Sequence, residues 1–419
     1  MATFKDERQV PIREHSDVVV IGGGPSGVAA AISAARHGAK VTLIEKGTIL
    51  GGLATAGLVI FYEPICDGNG RKVCGGLAEE FLHNSIKYSY STLPARWQNG
   101  LNRELDPETH QDPEGYALEV LREEDKKRYQ TLYNYAAFVL ALEESALKEN
   151  VNILYDTLFC SAVIEGNRCT GVIVENVSGR YGISCNALID ASGSSIAFFN
   201  AGLPCRSVEN KFIVEFLDTD FQKMNEAIKT NQIRKAINWR MIGHVPLAQE
   251  TQTSMFRGDT IEGENEFIRC GHAAALDHLK ANQRPDYAML TLPTMPQLRY
   301  VRQIVGRRPI TQDDLFKHTP DSIGCVSDWR KCGPIFEVPF GCMFAPDIVN
   351  MAAVGRNISS DDDLWDIMRC YPGAVTTGQA AGTAAALALE TGVDFDKVDI
   401  SLLQKTLADD GVIIHQEDI

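Results

Sequence analysis

The apolar positions of this chain fall into short continuous runs and longer helical stripes, divided by glycine-rich or polar turns. Asp17–Ile21 is a β-branched run, which predicts a strand buried on both faces. It leads into a helix with Ala31 and Ala35 four residues apart, small side chains suited to a face packed on a sheet. Gly38 stops that helix, and Val41–Ile44 forms the next strand. Residues 76–88 and 133–148 carry helical periodicity, and 151–155 reads as a strand. Cys160–Ile164, Cys169–Asn176 and Gly179–Ser184 read as short antiparallel strands separated by turns. A further apolar strand runs into Asp190, Ala191, Ser192 and Gly193, a second tight turn at a strand end. Val349–Val354 is another strand, and an alanine-rich helix from about residue 375 to 390 follows it. Residues 89–130 are polar and irregular, a surface insertion.

These elements predict an α/β fold. Strands and helices alternate at both ends of the chain, with an antiparallel meander between them. From about Cys205 to Phe344 the character changes to mixed polarity with many arginines and aromatics. At 419 residues the chain exceeds one ordinary domain, so this stretch reads as an inserted α+β cap. The predicted division is 1–204 and 346–419 for a Rossmann-like domain, and 205–345 for the insertion.

The turn after Ile21 carries the first chemistry. Gly22, Gly24 and Gly27 form G-x-G-x-x-G around Pro25 and Ser26. The first glycine permits a tight turn, the second a close approach to a pyrophosphate, the third close helix packing. Glu45, 18 residues beyond Gly27, ends the second strand beside Lys46. An acid there accepts hydrogen bonds from an adenosine ribose and repels a 2′-phosphate, so the ligand is FAD or NAD rather than NADP. Gly51 and Gly52 keep the following backbone bare, as a flat cofactor requires.

Composition narrows the partners. A net charge of −15 argues against nucleic acid and anionic membranes. The polar N-terminus and the lack of a long apolar window give the expectation of a cytoplasmic protein without a membrane span. Eleven cysteines occur without one C-x-x-C, so no redox dithiol and no metal site is expected from spacing.

Four segments together resemble one family: residues 17–45, GGLATAGLV, ALIDASG, and VGRNIS with GQAAGTAAALA. The chain is similar to the FAD-dependent oxidoreductases of the glutathione-reductase-like superfamily. PQLRYVRQIVGRRPIT and FEVPFGCM resemble that family's cap segments. The resemblance implies non-covalent FAD. Gly22, Gly24, Gly27 and Glu45 would hold its ADP half, and Gly52 and Thr55 would lie along the flavin. Ala191 and Gly193 would crowd the ADP half, and Gly355 with Arg356 would lie near the ribityl chain and pyrophosphate. A helix opening near Gly378 would aim its N-terminus at the flavin. Where the family tends to place a His after the Gly-Arg segment, this chain has Ser360 followed by Asp361–Asp363, while Arg369 and Pro372 keep the family positions. The acidic run reads as a reactive group or as a helix N-terminus.

No second G-x-G-x-x-G occurs, so electrons are expected to pass directly between a small polar substrate and flavin N5. The electron acceptor and the oligomeric state stay open, as do two alternatives: a reductase of activated C=C bonds and a flavin-bearing accessory subunit or sensor. Candidate proton handlers are His272, His278, His244, His318 and Tyr300. Arg299 and Arg302, three apart, would share a helix face and grip an anionic or hydroxylated substrate. Arg299, Arg302 and His272 are the candidate catalytic residues.

Overall fold

The computed structural model describes residues 7–68, 71–89, 131–243 and 255–419. His244 and nearly all of the predicted insertion at 89–130 lie outside them. The main sheet has a parallel core in the order Asn152–Leu154, Val41–Ile44, Ile12–Ile21, Gly179–Asp190, Met351–Ala353. Ile21 lies opposite both Ile44 and Asp190, and Ala353 also opposes Asp190. The carboxyl ends of four strands therefore reach one edge together.

Gly179–Asp190 is one long strand, where the chain pattern suggested two pieces. Its free side is divided between two partners. Gly179–Ser184 pairs antiparallel with Gly171–Asn176, and Leu188–Asp190 pairs parallel with Met351–Ala353. The meander of Leu158–Glu165 and Arg168–Asn176 thus grows from the half of the strand that the parallel core leaves bare.

Helix Pro25–Arg36 packs tightly against helix Tyr371–Thr391. The later helix opens at Tyr371, not near residue 375, because Pro372 fits the first turn, where its missing N–H costs nothing. Gly378 is consequently two turns inside the helix, and the expectation of a helix opening there is corrected. A Cβ on Gly378 would sit 2.2 Å from the Ser26 carbonyl oxygen, and one on Gly382 2.3 Å from that of Ala30. These two glycines let the helix backbones touch.

The inserted region has its own small sheet: Val214–Asp220 between Asn238–Ile242 and Tyr287–Thr291. Helix Ile261–Ala281 covers it through Phe267, Gly271 and Ala275. Its separate apolar cores draw on residues from Ile213 to Val301. Ile310 and the hairpin of Ser322–Ser327 with Ile335–Pro339 pack instead into the main core, with Met343 and Phe344. No helix among the described residues is long and apolar enough to cross a membrane.

Candidate functional site

The strand-end edge is built from glycines with different reasons for being glycine. Gly22 has φ +96°, and a Cβ there would lie 2.6 Å from the Ala191 carbonyl oxygen. A Cβ on Gly27 would lie 1.8 Å from the Gly22 carbonyl oxygen. Gly24 differs: its backbone is extended (φ −68°), and a Cβ would meet nothing within 4 Å. It caps helix Pro25–Arg36 without a side chain, so the first-turn N–H groups of Ser26 and Gly27 receive no side-chain cap. Bare amides at the positive end of a helix suit a phosphate. The open space and the amides together fit a dinucleotide pyrophosphate.

Glu45 directly follows the second strand, half-buried, and its carboxylate is already engaged. One oxygen accepts from Gly23 N–H at 2.7 Å and the other from Gly47 N–H at 2.7 Å. Any ribose hydroxyl would use the remaining lone pairs of a carboxylate that also shapes the glycine turn. We expect Glu45→Gln to lower the melting temperature of the FAD-free protein as well as FAD affinity. An amide turns a donor toward one N–H, and a lost charged hydrogen bond costs about 1.5–3 kcal/mol. An unchanged apoprotein melt would show that the turn does not depend on the charge. Lys46 is exposed beside it.

Gly51 N–H donates to the Gly23 carbonyl at 2.7 Å, tying the second glycine loop to the first. Gly52 has φ +50°, and its missing Cβ faces the Gly24 Cα at 3.3 Å. Thr55 is buried and donates its hydroxyl to the Leu50 carbonyl at 2.6 Å, which closes the loop.

Asp190 ties the remaining edge together. Its buried carboxylate accepts from Ser192 N–H, the Ser192 hydroxyl, Ala197 N–H and the Asn357 amide at 2.6–3.0 Å. Burial raises its pKa, and these hydrogen bonds oppose the rise. Ala191 and Gly193 follow, and Gly193 (φ +72°) leaves room for the Arg356 side chain. Arg356 donates to the carbonyls of Gly193 and Leu298, and no carboxylate pairs with it among the described residues. Burial, with Arg299 and Arg369 nearby, lowers its pKa to about 10. Gly355 (φ +65°) rests on the Ser26 side chain. Gly355 thus meets Ser26 in the first turn of helix Pro25–Arg36, and Arg356 next to it reaches across to Gly193.

Asp361 proves to be the N-cap of helix Asp362–Met368, accepting from Leu364 N–H at 2.8 Å and Gln312 N–H at 2.7 Å. The acidic run is a helix start. The arginine pair does not share a helix face, because residues 292–302 are irregular. Arg299 pairs with the buried Glu215 and donates to the Gln297 carbonyl at 2.9 Å. Arg302 stands 4.2 Å over the Phe199 ring and lines a separate hollow of about 260 Å³ with Arg206 and Asp259. The two guanidinium groups therefore do not converge. His272 is exposed on helix Ile261–Ala281, one residue past the inward-facing Gly271. His278 bonds the buried Asp218 at 3.3 Å, and Tyr300 donates to Asp366 at 2.7 Å.

The structure adds residues that the sequence left unremarked. Glu63 is buried and accepts from Tyr371 N–H at 3.2 Å, and burial raises the pKa of its carboxyl. Tyr133 and Tyr371 share a 2.6 Å hydroxyl contact, and both reach the Val59 carbonyl. The signal available was an acid inside an apolar run, VIFYEPI.

A family model described as FAD dependent oxidoreductase matches residues 17–244 and 207–407. The chain is similar to fumarate reductase (cytochrome) of Shewanella frigidimarina, 48% identical over 58 residues, 13% of this chain and 10% of that protein. It is also similar to digeranylgeranylglycerophospholipid reductase 1 of Methanococcoides burtonii, 24% identical over 182 residues, 43% of this chain and 38% of that protein. The chain thus spans well under half the length of these curated relatives. A solved p-nitrophenol 4-monooxygenase from Pseudomonas putida superposes with a TM-score of 0.48 at 13% identity, over 95% of this chain and 89% of that one. With a family model matched along most of its length, the chain belongs to the FAD dependent oxidoreductase family, and its cofactor is FAD.

Proposed function

We propose that the protein holds FAD non-covalently and moves a hydride between a small polar substrate and the flavin, with an external electron acceptor. A cleft where residues 205–301 meet the loop that follows Thr55 carries this reading. The inserted region is stitched to that loop: Thr294 N–H donates to the Ala56 carbonyl at 2.8 Å, and the Gln297 amide to that of Gly57. Beside this seam lies a cleft of about 340 Å³, lined by Ile60, Tyr133, Trp239 and the cations Lys223, Arg234 and Arg240. The size suits a small ligand; Lys223 and Lys235 pair with Glu226, which also lines the cleft, and Arg240 with Asp218, while Arg234 has no carboxylate partner among the described residues.

Bound FAD supplies the two-electron chemistry. The chain's own residues orient the ligand and handle the proton. Ser26 and Gly27 amides with Arg356 would hold the diphosphate, and Gly52 and Thr55 the flavin end. Arg234 would draw in an anionic group. Glu63, buried against the Tyr371 backbone with its pKa raised by burial, would serve as a proton store.

Anaerobic mixing with panels of hydroxy acids, amino acids and sugars tests the reading through loss of the flavin's visible absorption. Bleaching by one class is the expected result. A panel that leaves the flavin oxidised, while an activated alkene reoxidises the dithionite-reduced protein, would favour a C=C reductase. The names of the two reductase relatives make that second reading worth its own arm.

A further inference from the structure

We propose that His318, Glu337 and His415 form a binding site for a divalent first-row transition ion of the zinc class. Nothing in the flavin chemistry calls for it, and the three residues come from separate segments. His318 lies in the loop before strand Ser322–Ser327, Glu337 in the partner strand of that hairpin, and His415 in the C-terminal tail. The tail is laid along the hairpin by Cys325 N–H on the Ile413 carbonyl at 2.9 Å and the Ser322 hydroxyl on that of Ile414 at 2.7 Å.

One Glu337 oxygen lies 2.9 Å from Nδ1 of His415 and 3.7 Å from Nδ1 of His318. All three ligand atoms fall within 4.8 Å of one another. Tetrahedral ligands at about 2.1 Å from an ion stand roughly 3.4 Å apart, so the observed spacings bracket that value. The imidazole rings are 4.6 Å apart and tilted by 36°. Nδ1 of each ring lies near the same carboxylate oxygen, so with the proton on Nε2 both rings can present a lone pair to one ion. A single divalent ion satisfies all three atoms.

The carboxylate is also pre-aimed. Thr319 N–H donates to the shared oxygen at 2.7 Å, and Gln416 N–H to the other at 2.9 Å. Such outer contacts orient a metal ligand. Two imidazoles with one carboxylate select zinc-class ions over calcium or magnesium, which prefer oxygen ligands throughout. The Glu337 side chain is 2% exposed and that of His318 60%, so one side stays open for ligand water. The ion would clip the C-terminal tail to the hairpin and the loop.

Zinc titration of the full-length, FAD-loaded protein by calorimetry tests the proposal, after treatment with EDTA and desalting. A Cys332→Ser background removes the exposed thiol. One ion per chain is expected, with a melting temperature that rises to a plateau at one equivalent. Because its ring is exposed, His318→Ala should keep the wild-type melt in EDTA and the wild-type flavin spectrum. It should bind zinc roughly tenfold or more weaker, the scale seen when ligand positioning is lost. No binding by the parent, or equal affinity and equal thermal response in His318→Ala, would overturn the site.

Discussion

Gly24→Val yields a folded chain that purifies without FAD, whereas Gly27→Val yields little folded protein. The two glycines are three residues apart in one motif, yet the space around them differs completely. At Gly24 a side chain meets no protein atom within 4 Å, and φ of −68° is ordinary for valine. The apoprotein therefore tolerates it. The isopropyl group then fills the space in front of the Ser26 and Gly27 amides, where the diphosphate belongs. At Gly27 the first added carbon would lie 1.8 Å from the Gly22 carbonyl, far inside contact distance. The helix would have to leave the sheet, which also breaks its packing on helix Tyr371–Thr391. Circular dichroism together with the visible absorption of the flavin separates the outcomes. A yellow Gly24→Val protein at full FAD occupancy would mean that the open space serves no ligand.

How much of this was legible in the chain depends on how local the determining contacts are. The turn around Gly22–Gly27, the strand Val41–Ile44 before Glu45 and helix Leu77–Lys87 follow from neighbours in sequence, and the pattern located each of them. The alanine-rich helix begins at Tyr371, a turn before the position its alanine pattern marks, because Pro372 is at home in a first helical turn. Arg299 and Arg302 were given a helix face by their spacing. Pro293 and Pro296 keep that stretch out of a helix, and three-residue spacing then loses its meaning. Glu215, Glu63 and Glu337 could not be assigned partners from sequence. Their contacts come from segments up to 308 residues away, as Glu63 and Tyr371 are. What the pattern could show was an acid inside an apolar strand, a sign of burial with a partner still to be named.

That logic bears on Arg299, whose loss should reduce stability before it reduces anything else. Glu215 is 1% exposed, and the Arg299 guanidinium is its ion-pair partner. Burial raises the Glu215 pKa, and the Arg299 charge opposes the rise, so the carboxylate relies on that partner. Among the described residues no well-formed hydrogen bond reaches its second oxygen, and the nearby Trp239 side chain helps it only as a lesser partner than Arg299. Removing one member of a buried pair costs about 3–5 kcal/mol, because the other charge is left in apolar surroundings. Arg299→Met should therefore lower the denaturant midpoint strongly and weaken activity along with it. Glu215→Leu combined with Arg299→Met replaces the pair by apolar volume and should recover most of the lost stability. The double variant then discriminates between the two roles of the arginine. Recovered stability with recovered turnover makes Arg299 a strut that holds the inserted sheet against the loop at Gly57. Recovered stability without turnover would return it to the substrate, as the spacing in the sequence first implied.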